Sequence, residues 1–349
     1  MVKNANPRCA SSEQGRLPAR VVPQDAQSGP GSGDVMSELV QYRNVVFDSG
    51  RWAQFPFRSD DIVISTPPKS GTTWVQTICG MLVLDAVAFE RPLAEISPWL
   101  DMQTNDLGTV IAALQAEHHR RFIKTHTPLD GVPSVEGVTY ICVGRDPRDV
   151  ALSFQHHWSN LDAEAFMGAR AQAVGLDDLA ELGPPPVLPD DPLERFRLWV
   201  DAEPNSFIGP ALVDVLHHLD TFWSRRHDPR VVLFHYSDLL ADLPGEIRRL
   251  ANVLAVDVTE DRIERFAAAA SFTNMKEHAD ALVPDVGNRI WHSNEAFFHR
   301  GGNGQWRDLL GEADLRHYEQ RVADLVGPDV AAWAHGGWSG SHGAVTAVL

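Results

Sequence analysis

Short runs of β-branched and aromatic residues alternate with helical segments through the middle of the chain. The strand candidates are DIVIST, RRFIKTH, VTYICVG and PRVVLFHY, at residues 61–66, 120–126, 138–144 and 229–236. Helical patterns begin near Thr72 and at Pro147, and a third covers residues 246–256. This alternation predicts an α/β fold with a P-loop-like central parallel β-sheet that helices flank on both faces.

Basic and titratable residues stand at the ends of the first three strand candidates. Lys69 follows the first, Lys124 and His126 end the second, and Arg145 follows the third. Ligands of open parallel sheets bind beyond the carboxyl ends of the strands, so these four side chains are expected at one edge. The formal charge of the whole chain is -17, which argues against nucleic-acid binding and against attraction to anionic membranes. An anionic ligand therefore needs a locally basic pocket.

The 349 residues are enough for one large domain. We predict a disordered N-terminal tail over residues 1–35, a single domain over 36–334 and a flexible C-terminal tail over 335–349. No run approaches the roughly 20 apolar residues that a membrane-spanning helix needs, and the first 35 residues lack the apolar core of a secretory signal. Cys9, Cys79 and Cys142 have no metal-ligand spacing. The cysteine usage favours a reducing, cytoplasmic location, while the oligomeric state is not indicated.

The first strand-to-helix turn, Lys69 to Thr73, has the features of a phosphate site. Free backbone N–H groups and the positive end of the helix dipole meet at such a turn. It is not the G-x-x-x-x-G-K-[ST] loop of ATP-binding proteins, because its lysine precedes Gly71 and Thr72 stands where that motif has lysine. The turn predicts phosphate binding without a metal ion.

Five segments together resemble the cytosolic-type sulfotransferases that use 3′-phosphoadenosine 5′-phosphosulfate (PAPS). In family order they are PKSGTTW at 68–74, IKTH at 123–126, GRDPRDVALSF at 144–154, SFTNMK at 271–276 and HRGGNGQW at 299–306. The stretch WSRRHDPRVVLFHYSDL at 223–239 is similar to actinobacterial members, some of which are thought to act on glycolipids. The resemblance extends over roughly residues 50 to 310.

The resemblance implies the sulfotransferase fold and in-line transfer of a sulfuryl group from PAPS to a hydroxyl acceptor. The acceptor would be a hydrophobic alcohol, a phenol or a glycolipid, and the products would include 3′,5′-ADP. The catalytic residues at matching positions are His126, Lys69 and Lys124. The cofactor-binding residues at matching positions are Lys69, Ser70, Gly71, Thr72, Thr73, Trp74, Arg145, Ser153, Ser271, Phe272, Met275, His299, Arg300 and Gly301.

The residue types suit that chemistry. Negative charge grows on the bridging oxygen during sulfuryl transfer, so a fixed ammonium such as that of Lys69 stabilises the transition state more than the ground state. His126 is a natural base near neutral pH, and its i, i+2 spacing puts it on the same strand face as Lys124. The alternatives are that Lys69 is an ordinary surface lysine and that His126 has only a structural role.

The residues after Arg145 carry the signals of a helix start. Asp146 is a good N-cap, Pro147 suits the first helical position, and Ser153 lies two turns into the helix. In the family the matching arginine and serine bind the 3′-phosphate, for which a guanidinium fork is well suited. Trp74 and Phe272 match the aromatics that sandwich adenine. The alternative is that Trp74 and Phe272 are ordinary aromatic residues of the hydrophobic core.

Several positions depart from the family pattern. His299 stands where arginine is usual, Gln305 where aspartate is usual, and Leu216 and Ala270 replace a tyrosine and a threonine at the adenine edge. The acceptor is expected to contact loops 85–120 and 159–210. Candidate pocket walls there are Trp99, Leu100, Phe196 and Trp199.

Two other functions remain open at the level of the sequence. One is a P-loop-like kinase or NTPase, which the missing ATP-binding motif disfavours. The other is a catalytically silent nucleotide-binding protein, which the pairing of Lys69 with His126 disfavours because a binder needs no base.

Overall fold

A four-stranded parallel β-sheet forms the centre of the fold. The computed structural model describes residues 39–179, 188–204, 209–284, 287 and 289–341. The strands are β1 Ile62–Ser65, β2 Phe122–Thr125, β3 Thr139–Gly144 and β4 Val231–His235. Their spatial order is β2-β1-β3-β4, and each neighbouring pair runs parallel. The predicted α/β fold and all four predicted strands are confirmed, each one to three residues shorter than the sequence pattern.

The described helices follow the strands and cover the sheet. They are α1 Thr72–Leu84, α2 Leu93–Ile96, α3 Leu107–Ala116, α4 Pro147–Ser159, α5 Ala163–Ala173, α6 Pro192–Asp201, α7 Leu212–Trp223, α8 Tyr236–Ala241, α9 Leu243–Val253, α10 Glu260–Ala269, α11 Phe272–Glu277, α12 Ala279–Leu282, α13 Asn294–Phe297, α14 Glu312–Leu325 and α15 Pro328–Ser341. No described helix is both long enough and apolar enough to span a bilayer.

The strands are fully buried because both faces of the sheet carry a core. Successive strand residues point to opposite faces. Ile62 and Ile64 therefore join the cluster around α1 and α9, whereas Val63 and Ile123 join the cluster that contains α6 and α7. Continuous apolar runs such as IVI and YICV are the pattern that a sheet covered on both faces requires.

The last described helix runs across the predicted start of the C-terminal tail. α15 continues through Ser341, with a break at Gly337, which has a φ of 66°. Trp338 donates its backbone N–H to Asp238, 3.0 Å away. The helix thus extends past residue 335, where the sequence predicted the C-terminal tail to begin. The predicted N-terminal tail and residues 342–349 lie outside the described part of the chain.

Candidate active site

The carboxyl ends of the four strands open onto one cavity. The predicted site residues that line it are Lys69, Gly71, Thr72, Thr73, Trp74, Lys124, His126, Arg145, Ser153, Phe272, Met275, His299, Arg300 and Gly301. Ser70 and Ser271 do not line it. Ser70 is fully buried at the turn, and Ser271 caps α11 by accepting a hydrogen bond from the backbone of Asn274.

The turn between β1 and α1 presents the start of α1 to the cavity. Gly71 is the N-cap residue, with a φ of 108°, and no described side chain caps the helix there. A Cβ at Gly71 would lie 3.2 Å from the ring of Tyr236, so a larger residue would be both strained and crowded. The uncapped N–H groups of α1 are thus left for an anionic ligand.

Lys69 lies on this turn in an unusual backbone conformation, with a φ of 67°. Its Nζ is 3.3 Å from Nδ1 of His157 and 4.2 Å from the centroid of the Phe297 ring. Burial, reinforced by the charges of Arg145 and Lys124, lowers the pKa of Lys69 to about 7. An anion in the cavity would reverse this effect and hold the ammonium in its charged form.

His126 follows β2 and is held in one tautomer. Its Nδ1 lies 2.6 Å from the carbonyl oxygen of Thr66, which can only accept, so Nδ1 carries the proton. Nε2 is therefore the basic nitrogen. Burial and the charge of Lys124 hold the pKa of His126 well below its ordinary value, so the imidazole is neutral at physiological pH.

Trp99 links the two predicted catalytic residues of β2. Its ring lies edge-on to His126, with centroids 4.5 Å apart, and the Lys124 ammonium sits 4.4 Å over its face. Lys124 also donates its backbone N–H to Pro98 and accepts from Leu100. The short segment around Trp99 is thereby laid along the free edge of β2.

A buried carboxylate fixes the end of the same strand. Asp101 accepts hydrogen bonds from Thr125 at 2.5 Å, from Thr127 at 2.6 Å and from Trp52 at 3.0 Å. The two threonines flank His126 in the sequence, so Asp101 holds the residues on both sides of the predicted base. Sequence reasoning missed this residue, because its partners are about 25 and 50 positions away.

Arg145 joins three parts of the cavity wall. It donates to the carbonyl oxygens of Lys69 at 2.9 Å and Gly302 at 2.8 Å, and its guanidinium lies 4.3 Å over the Tyr236 ring. Its Nε is buried with no hydrogen-bond partner among the described residues. The predicted helix start is confirmed, because Asp146 caps the backbone of Arg148 directly after Arg145.

The segment 299–305 docks onto α4 through Asp149. This carboxylate accepts from the backbone of Gly304 at 2.7 Å and of Gln305 at 2.9 Å. Gly301 has a φ of 57°, and a Cβ on it would lie 2.2 Å from the Phe272 ring. The backbone at Gly301 therefore packs directly against the aromatic residue that is predicted to stack on adenine.

Two histidines stack where the family usually has an arginine. The rings of His156 and His299 lie 3.5 Å apart and 25° from parallel. Nε2 of His299 is buried with no partner among the described residues. Burial lowers the pKa of both rings, and the adjacent Arg300 lowers them further, so both are neutral without a ligand.

The region predicted to hold adenine differs in part from expectation. Leu216 and Ala270 are fully buried core residues and do not line the cavity. Tyr236 does line it and lies edge-on to Trp74, with ring centroids 5.2 Å apart. Sequence reasoning missed Tyr236, although it directly follows β4 and the strand-end rule would have found it.

Much of the cavity lining is apolar, and Trp99 in this apolar wall contacts His126. The wall includes Val45, Phe47, Trp99, Met102, Phe154, Trp158, Leu161, Phe166, Ile290, Trp291 and Phe297. Of the four predicted wall residues, Trp99 is placed there. Leu100, Phe196 and Trp199 are instead buried in the core cluster against α7 and do not line the cavity.

A polar group interrupts this wall at one point. Tyr42 donates its hydroxyl proton to Asp130 at 2.8 Å and lies 2.7 Å from Nε2 of His217. His217 also pairs with Asp130, and this interaction raises the pKa of His217. Over the described residues, no group of three or more histidine, cysteine, aspartate or glutamate side chains is arranged to hold a metal ion.

Comparison with known proteins agrees with this arrangement. Residues 59–327 match the model of the sulfotransferase domain family. A glycolipid sulfotransferase of Mycobacterium bovis is 41% identical over 318 residues, which cover 87% of this chain and 97% of that protein.

Solved structures show the same fold at low sequence identity. A retinol dehydratase in complex with androsterone and the inactive cofactor PAP has a TM-score of 0.60 at 21% identity, over 81% of this chain and 87% of its own. Mouse sulfotransferase SULT7A1 complexed with PAP has a TM-score of 0.58 at 19% identity, over 82% of this chain and 94% of its own. The chain belongs to the sulfotransferase domain family, and the protein is a sulfotransferase.

Proposed function

We propose that this sulfotransferase uses PAPS and transfers the sulfuryl group to a hydroxyl of an apolar acceptor, with a glycolipid as the preferred class. The observation that carries the proposal is the position of His126. A neutral imidazole, with Nδ1–H fixed on Thr66, lines the same cavity as the ammonium groups of Lys69 and Lys124.

The described residues fit the two phosphate ends of PAPS. The 5′ end suits the uncapped start of α1, because Gly71, Thr72 and Thr73 line the cavity there. Arg145, His299 and Arg300 are suited to bind the 3′-phosphate. Among the described residues, Nε of Arg145 and Nε2 of His299 have no hydrogen-bond partner. Buried polar atoms without partners are costly, so a ligand that pairs with them binds well.

The side chains then divide the reaction between them. PAPS supplies an activated sulfuryl group. Nε2 of His126 accepts the hydroxyl proton of the acceptor, because Nδ1 already donates to Thr66. The ammonium of Lys69 stabilises negative charge at the departing 5′-phosphate, and Lys124 lies on the same strand face as His126. Trp99 holds the Lys124 ammonium and the His126 ring at fixed positions.

The proposed acceptor class rests on the apolar wall and on the mycobacterial relative. A hydrocarbon chain is stabilised by burial against residues such as Trp99, Phe154 and Phe166. Tyr42 and His217 also line the cavity, and their hydrogen-bonding groups suit the hydroxyls of a sugar. The relative from Mycobacterium bovis carries the name glycolipid sulfotransferase.

Three expectations from the sequence stay predictions: the cytoplasmic location, the single domain between flexible tails, and turnover without a metal ion. The last of these has a direct test. Sulfate transfer and the binding of 3′,5′-ADP are both measured with and without excess EDTA, and we expect the rate and the affinity to be the same in both. Loss of binding in EDTA would contradict metal-free recognition.

The experiment for the proposed function is transfer of labelled sulfate from PAPS to a panel of phenols, sterols and glycolipids. We expect labelled product, with the highest kcat/KM among glycolipids. Transfer to simple phenols alone would contradict the acceptor class and leave the sulfotransferase activity intact. Transfer from PAPS to none of the panel, together with phosphoryl transfer from ATP, would contradict the proposed donor.

A further inference from the structure

The Lys69 ammonium has an unusual environment for a buried charge. Its nearest described polar partner is Nδ1 of His157, 3.3 Å away, and its other close neighbour is the face of Phe297. No carboxylate lies within ion-pair distance of it among the described residues. A buried cation normally has an acidic partner, because burial without one is costly. A neutral acceptor is therefore the principal group that holds it.

His157 is itself rigidly placed. It lies near the end of α4, and its ring packs against Trp291 with centroids 4.6 Å apart and edge-on to Phe297 at 5.3 Å. Side chains packed between aromatic rings lose rotamer freedom and hold their polar atoms at fixed positions. Nδ1 of His157 is thus a fixed point beside a long, flexible lysine side chain.

The electrostatic environment determines the protonation state of His157. Burial and the adjacent charge of Lys69 hold its pKa well below the ordinary value, so the ring is neutral. A neutral ring with its proton on Nε2 presents the Nδ1 lone pair to the ammonium. The other charged and titratable groups that act on this pair are Lys124, His126, Arg145, His156 and His299.

We propose that His157 is a positioning residue for sulfuryl transfer, which holds the Lys69 ammonium at the phosphosulfate end of the cavity by accepting its hydrogen bond. This inference rests on the proposed role of Lys69. A neutral acceptor holds the ammonium without neutralising it, so the full charge remains for the oxygen that becomes negative in the transition state. A carboxylate in the same place would compete with that oxygen.

The chain offers a matched pair of variants. Asparagine and leucine have nearly the same shape, and His157→Asn keeps an acceptor oxygen near the place of Nδ1, whereas His157→Leu does not. We expect His157→Leu to lower kcat about 10- to 100-fold through misplacement of the ammonium. His157→Asn should recover most of that loss. The affinity for 3′,5′-ADP and the melting temperature report whether each variant is folded.

The pH profile separates positioning from simple packing. Activity needs the charged form of Lys69, so it falls as pH rises through the pKa of that group. An acceptor favours the charged form, and His157→Leu should therefore move the alkaline limb of kcat/KM to lower pH. His157→Asn should leave the limb near its original place. A purely structural role would not move it.

Two results would overturn the inference. One is a His157→Leu enzyme with unchanged kcat and an unchanged alkaline limb. The other is a His157→Asn enzyme as impaired as His157→Leu. The variant Lys69→Met distinguishes the levels of the argument: full activity in Lys69→Met would remove the proposed role of Lys69 itself, whereas a loss there with an intact His157→Leu enzyme would remove the role of His157 alone.

Discussion

His126 donates its Nδ1–H to the carbonyl oxygen of Thr66, 2.6 Å away, and this contact joins the ends of β2 and β1. The bond leaves Nε2 as the basic nitrogen and fixes the plane of the ring. Trp99 contacts the ring edge-on, and Asp101 holds the threonines on either side of it. The proposed base is thus positioned by residues that are not expected to take part in proton transfer.

Arg145→Ala should weaken PAPS binding more than it slows the chemical step. The guanidinium is proposed to contact a phosphate that is present throughout the reaction, so its loss affects the ground state and the transition state alike. A charge-assisted hydrogen bond contributes about 1.5–3 kcal/mol, which corresponds to roughly 10- to 100-fold in affinity. Calorimetry with 3′,5′-ADP and the KM for PAPS measure this loss.

Arg225→Ala is the matched control, because Arg225 is an exposed arginine that pairs with Asp228 and does not line the cavity. We expect it to retain the affinity for 3′,5′-ADP. An Arg145→Ala enzyme with normal affinity and a much reduced kcat would contradict the assignment of Arg145 to the 3′-phosphate.

Affinity for 3′,5′-ADP should fall as pH rises through the histidine range. The ring of His299 has a lowered pKa in the free protein, and a phosphate dianion beside it would raise that pKa. The extra affinity is therefore fully present below the pKa of the free protein and is lost as pH rises through the pKa of the complex. Calorimetry over a pH series measures the slope.

The variant His299→Arg keeps its charge over the whole range and should flatten this dependence. His156 stacks on His299 at 3.5 Å and is expected to contribute to the same titration. A flat profile in the unmodified protein would mean that His299 does not contact the phosphate.

Asp149→Ala should loosen the segment 299–305 from α4. The carboxylate accepts two backbone N–H groups, those of Gly304 and Gln305, which would lose their partner. Leaving such groups unpaired costs about 1–3 kcal/mol each when they are buried. We expect a lower melting temperature and weaker binding of 3′,5′-ADP, because Arg300 and Gly301 belong to this segment.

Asp308→Ala, in the short turn after this segment, is the control. It should leave 3′,5′-ADP binding unchanged. Equal affinity in Asp149→Ala and in the unmodified protein would show that the docking of the segment is independent of Asp149.

The sequence predicted the sheet and the edge that carries the site, since both follow from local patterns. Lys69, Lys124, His126 and Arg145 reach one cavity because parallel strands end at the same edge. Helix α4 begins where Asp146 and Pro147 predicted it, because capping depends on neighbouring residues.

Contacts between segments that are distant in the sequence could not be predicted from such local patterns. Asp149 reaches a segment 155 positions away, and Trp99 reaches β2 from an irregular loop. Phe196 and Trp199 have the composition of pocket walls, but α6 turns their faces into the core. Which side of a loop or short helix faces the cavity depends on tertiary packing, and a single sequence contains no periodicity that determines it.

The proposed mechanism depends most directly on His126 as the base. Single-turnover transfer from labelled PAPS at saturating acceptor tests this role. His126→Ala should lower the rate about 10²- to 10⁴-fold while the affinity for 3′,5′-ADP stays almost unchanged. His227→Ala, an exposed histidine away from the cavity, should retain the full rate. A His126→Ala enzyme that keeps more than about a tenth of the rate would contradict the assignment, because loss of a general base costs more than that.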